Sequence, residues 1–138
     1  MTSEYLLIGL GGALGAIFRV FLSNILPYSA FNIPIYIMLI NIIGCFFMGA
    51  ISELLGLYWS TSLNMKYFLI SGLLGGFTTF SAFALEFGLL IEKGQYLESA
   101  LYILLSVMLS LMAFFIGLKI IKLMFWIIDL SGSTTAIE

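Results

Sequence analysis

The chain has 138 residues, of which 62% are hydrophobic and only 9% charged, and its mean hydropathy is +1.19; this excludes a soluble domain with a polar surface. A formal net charge of −2 offers no basic patch for nucleic acid or anionic headgroups. The absence of histidine removes bis-imidazole haem, histidine proton relays and histidine-held metals from consideration.

Four apolar runs each reach the roughly 20 residues needed to cross the hydrocarbon core of a bilayer. They predict an all-α membrane protein with one multi-pass domain over residues 1–138: helices at about 4–26, 33–54, 67–92 and 98–128, and a tail at 129–138. The first run lacks a basic leading segment and a small-residue cleavage site, so it is expected to stay in the protein. It carries Gly11, Gly15 and Arg19 at four-residue steps, which puts its smallest residues and an intramembrane cation on one face. The glycines suit close helix packing. The arginine suits either a water-filled cavity that favours anions or a snorkelling position near the helix end.

Residues 27–34 form a short polar turn bounded by Pro27 and Pro34. The second helix places Asn41 about two turns in, followed by Gly44 and the lone cysteine, Cys45. An amide in hydrocarbon needs partners, so Asn41 either ties two helices together or lines a polar path. Cys45 cannot form an intrachain disulfide and fits a small packing role. The connection at 53–66, with Tyr58 and Trp59 in it and Tyr67 just beyond, has the aromatic residues of a membrane–water interface.

The third run holds the most unusual stretch, Gly72-Leu-Leu-Gly75-Gly76-Phe77-Thr78-Thr79-Phe80-Ser81-Ala82-Phe83. Three glycines and two adjacent threonines weaken a helix at mid-membrane, where irregular backbone survives only inside protein or beside a cavity. A break opened by the glycines is therefore predicted, and a site with it. Phe80, Phe83 and Phe87 recur on one face beyond the break as an aromatic ladder. Glu86 lies one turn on, toward a hydrated mouth near Glu92, Lys93 and Gly94. The fourth helix bears a stripe of small and polar residues, Ser99, Tyr102, Ser106, Ser110, Ala113 and Gly117, which belongs at a helix interface or an aqueous path. Lys66, Lys119 and Lys122 fall on the side of the termini against Lys93 on the other, a bias weak enough to allow insertion in both orientations. Four short helices cannot both surround a pore and wall it, so two copies are expected to build one at their mutual face.

The segments Gly11-Gly-Ala-Leu-Gly-Ala-Ile-Phe-Arg19, Asn41-x-x-Gly44 and, most specifically, Gly72 through Phe83 resemble the Fluc (CrcB) family of fluoride channels, over essentially the whole chain. The resemblance implies an antiparallel, dual-topology homodimer in the cell membrane, or a pair with a paralogous subunit, that passively exports fluoride and is not an enzyme. It implies a structural sodium ion at the dimer centre, held by the backbone carbonyls of Gly75 and Thr78. It further implies that Phe80 and Phe83 line the fluoride paths, that Asn41 donates hydrogen bonds there, that Ser81 and Ser110 belong to a polar track, and that Arg19 faces an aqueous vestibule. Two positions depart from the family pattern: Ala82 stands where threonine is common, and Tyr36-Ile37 where a glycine–threonine pair is common.

Elementary chemistry agrees with such a task. Fluoride is small and strongly hydrated, so its water must be replaced by close donors and partial positive charge. Asparagine and serine supply donors, and phenylalanine rings carry positive charge at their edges. Two other readings remain: a small proton-coupled multidrug exporter, which would need a carboxylate deep in the first helix where this chain has Arg19, and a purely structural membrane subunit.

Overall fold

Thr2 to Ile25 and Ile35 to Leu57 form the first two helices, α1 (Thr2–Ile25) and α2 (Ile35–Leu57), of a computed structural model that describes residues 2–57 and 63–134. The third span starts as an α-helical turn, Leu63–Lys66, widens into a π-helix over Tyr67–Leu74 and closes with a further turn, Gly75–Phe77. After two extended residues it resumes as α3 (Phe80–Glu92), and α4 (Tyr96–Thr134) completes the chain. The described residues thus contain four segments long and apolar enough to cross a membrane, and an isolated bridge between Ala30 and Ile33 is their only extended pairing.

The ends of these elements have local causes. In the turn after α1, Ala30 and Ile33 exchange backbone hydrogen bonds of 3.0 and 2.9 Å around Phe31 and Asn32, both at positive φ. That pairing uses the Ile33 amide, and Pro34 follows, so α2 starts at Ile35 rather than at residue 33. Beyond α3, Gly94 takes φ +72° and the Gln95 amide reaches back to the Leu90 carbonyl, the left-handed stop that lets α4 begin one residue later. α4 continues to Thr134, past the predicted end at 128, because a long helix propagates through polar residues that would not nucleate one. Of the 53–66 connection, 53–57 belong to α2 and Leu63–Lys66 are helical, while Tyr58 and Trp59 lie outside the described residues.

The glycines of the third span do something other than break it. Gly75 has ordinary helical angles (φ −63°, ψ −37°). A methyl group at Gly76 would lie 2.5 Å from the Gly12 carbonyl oxygen, and one at Gly72 would lie 3.0 Å from Gly11 Cα. The stretch from Gly72 to Gly76 is therefore shaped for backbone-to-backbone contact with α1, and the predicted opening at the glycines is corrected: the chain leaves the helical region two residues later, at Thr78 and Thr79. The same device joins α2 to α4, where Gly117 and Gly49 each meet backbone of the facing helix. Lys122 of α4 adds an ion pair to Glu53 at 3.7 Å, worth no more than about 1 kcal/mol at this exposure. On α4 the buried face is the small and polar stripe, with Ser99, Tyr102, Ser106, Ala113 and Gly117 all inside. Tyr102 joins Ile37, Met38, Phe83 and Leu90 in the core.

Candidate functional site

Thr78 (φ −76°, ψ 155°) and Thr79 (φ −150°, ψ 119°) are extended in the middle of an apolar span, so their backbone groups need partners that a helix no longer gives. Asn41 provides them from α2. Its Nδ2 donates to the Thr79 carbonyl at 3.1 Å, and its Oδ1 accepts from the Thr79 amide at 2.9 Å. Thr79 then restarts the helix: its hydroxyl accepts from the Ala82 amide at 3.2 Å as the N-cap of α3 and lies 3.2 Å from the Ser81 hydroxyl. The Thr78 hydroxyl bonds back to the Leu74 carbonyl at 3.0 Å. Gly44 makes room for this arrangement, since a side chain there would strike the Thr78 methyl.

These bonds free two carbonyls. An unbroken helix would give the Thr79 amide to the Gly75 oxygen and the Ala82 amide to the Thr78 oxygen. Here Asn41 takes the first amide and the Thr79 hydroxyl takes the second.

Beside the break lies a cavity of about 250 Å³. Asn41 and Cys45 of α2, the two threonines, Phe80 and Phe83 of α3, and Ser106, Val107 and Ser110 of α4 line it. The fold therefore brings together Asn41, Phe80, Phe83 and Ser110, which the resemblance singles out, with Thr78 of the implied sodium site. It leaves two others apart. Ser81 is exposed and touches the cavity only through Thr79, and Arg19, half-buried on α1, does not line it. Cys45 and Ser106 line it as well, one turn along α2 from Asn41 and one turn along α4 from both Tyr102 and Ser110, as helix register dictates.

The two aromatic rings differ in setting. Phe80 is 79% exposed at the surface of the chain, whereas Phe83 is 9% exposed, with its ring centroid 5.4 Å from that of Phe80 and 5.1 Å from that of Tyr102. Phe87 packs against the core. The hydroxyls of Tyr102, Ser106 and Ser110 are buried with no nitrogen or oxygen partner among the described residues; Ser110 has only the neighbouring Cys45 thiol, a weak one. Leaving a hydroxyl unpaired costs about 1–3 kcal/mol, so the two that line the chamber, Ser106 and Ser110, suit a guest that accepts hydrogen bonds. The second Nδ2 hydrogen of Asn41 is a further donor beside the same space. Glu86, which the sequence places at a hydrated mouth, is 7% exposed and accepts a hydrogen bond from the Tyr36 hydroxyl. It borders a smaller cavity of about 170 Å³ with Tyr28, Asn32, Lys93 and Gln95.

Fold and site together define a small multi-pass membrane protein whose interrupted span borders a chamber of hydrogen-bond donors and aromatic rings. Residues 6–118 match the family described as CrcB-like protein, Camphor Resistance (CrcB), and the chain belongs to that family. Among its relatives, proteins named fluoride-specific ion channel FluC from Rhizobium etli and Rhodopseudomonas palustris are 38% and 41% identical over 120 and 121 residues. Each alignment covers 86% of this chain and 96% of the relative. One of the same name from Campylobacter fetus subsp. fetus is 42% identical over 122 residues, covering 86% and 93%.

Proposed function

We infer that this protein is a fluoride-selective channel of the cell membrane, exporting fluoride passively and so protecting the cell from it. The observation that carries the reading is the chamber at the Thr78–Thr79 break, where buried hydroxyls without oxygen or nitrogen partners meet an amide donor and two phenylalanine rings. Those groups replace water around a small anion, and the apolar lining excludes larger, less strongly bound competitors. The experiment is efflux from liposomes holding both potassium fluoride and potassium chloride: fluoride leaves down its gradient and chloride stays. Retention of both ions would refute the reading.

The route runs along Phe80 and Phe83, past Asn41 and Ser110, with Ser81 at its outer edge beside Thr79 and Arg19 drawing anions from the bulk. The channel is an antiparallel homodimer: Phe80 and Gly75 are exposed on the single chain, and a second copy would enclose the open side of the chamber. A sodium ion fits this assembly. The Gly75 and Thr78 carbonyls, deprived of their helical donors, are hard oxygen ligands of the kind sodium takes, and no cluster of three or more His, Cys, Asp or Glu side chains competes for the role among the described residues. When bound, sodium supplies positive charge that joins the two copies and favours an anion nearby; this chain's own part is to leave the two carbonyls without their helical donors, through Asn41 and the Thr79 hydroxyl.

A further inference from the structure

The chamber is one of two cavities on α3. Phe83 borders it, and Glu86, three residues on, borders the smaller cavity that opens near the Ala30–Ile33 turn and Lys93. An anion leaving the chamber along α3 therefore passes a buried carboxylate. That carboxylate does not stand free: the Tyr36 hydroxyl, from the first turn of α2, donates to Glu86 Oε1. Tyr36 is itself held by Tyr28, whose ring stacks on it at 5.0 Å between centroids and 19° between planes. Tyr28 also lines the second cavity. The arrangement ties this carboxylate to the α2 side.

We propose that Tyr36 is a positioning residue of the channel: its hydroxyl holds the Glu86 carboxylate on the α2 side of the passage between the two cavities and keeps that charge off the anion's route. The proposal rests on the conduction route given above. The groups facing Glu86 are Tyr36 from α2, Tyr102 from α4, Tyr28 from the turn after α1 and Lys93 from the turn after α3. Among them Tyr36 alone donates a hydrogen bond to the carboxylate. Lys93 is exposed, and the Tyr102 hydroxyl has no partner.

The test is Tyr36→Phe, which keeps the ring and its stacking on Tyr28 and removes only the O–H. Fluoride efflux is measured from liposomes at neutral pH, with empty liposomes as the blank for leak. At neutral pH the variant is expected to run about tenfold slower, the Boltzmann factor for a like charge about 6 Å from the ion at an effective dielectric near 40. The double variant Tyr36→Phe/Glu86→Gln, in which the freed group is neutral, restores it. An unchanged rate in Tyr36→Phe would overturn the proposal, as would a slow rate that Glu86→Gln does not relieve, since that is the mark of lost packing. Phe80→Ile measured alongside separates the two levels. If it stops efflux while Tyr36→Phe is silent, the route stands and the latch falls; if both are silent, the route itself falls.

Discussion

A phenylalanine ring offers an anion the positive edge of its quadrupole, and an isoleucine of similar bulk offers nothing. Phe80 and Phe83 should therefore respond alike in transport and differently in stability. Replacing either by isoleucine removes the ring and its positive edge, so fluoride efflux is expected to fall about tenfold or more. Phe80 is 79% exposed and its loss should leave the thermal transition of the single chain unchanged, whereas Phe83 packs on Tyr102 in the core and its loss should cost about 1 kcal/mol. Efflux at the unmutated rate from a folded Phe80→Ile protein would remove that ring from the path. Asn41 makes a sharper case. Asn41→Asp keeps an acceptor for the Thr79 amide but sets a second negative oxygen against the Thr79 carbonyl and against any anion in the chamber. Both transport and stability should suffer, the latter by about 2–4 kcal/mol, and a normal melting temperature with normal efflux would show that the clamp is dispensable. The sequence makes plain that this amide needs partners. That the partner is one extended residue 38 positions away is a tertiary fact with no local signature.

At the scale of elements, the four spans were legible because each apolar run exceeds the thickness of the bilayer, and the stripe on α4 because its spacing of three and four residues survives in the fold. The break was legible in kind and misplaced in position. Glycine is a weak helix former, yet Gly72 and Gly76 remain helical because removing Cβ lets this segment and α1 touch backbone to backbone, and that packing outweighs local propensity. The interruption falls instead where Asn41 and the Thr79 cap can satisfy extended backbone. The π-helical segment Tyr67–Leu74 was likewise invisible, since its register depends on contacts across to α1. Two measurements separate these causes. Gly76→Val should force α1 away and destabilise by about 1–3 kcal/mol, as overpacking does. Thr79→Val should lose the cap, about 1 kcal/mol, while leaving the α1 contact intact. Thermal melts in which Thr79→Val proves the more damaging of the two would reverse this ranking.

On the scale of the whole molecule, a single copy leaves Phe80 at its surface and its chamber open on one side, and the proposed homodimer would cover both. Replacing sodium by a bulky organic cation should weaken dimerisation and fluoride efflux together, with no sodium gradient present. Unchanged association and unchanged efflux after long equilibration would leave the carbonyls of Gly75 and Thr78 without that role. The central claim, that fluoride crosses through the chamber at the break, has a built-in probe, because the only cysteine of the chain lines it. The direct measurement is fluoride efflux from reconstituted protein before and after complete labelling of Cys45 by a small neutral thiosulfonate, with Cys45→Ala as the unreactive control. Labelling should stop efflux in the native protein and leave Cys45→Ala conducting. Full labelling, verified by mass, with efflux undiminished would place the route somewhere else.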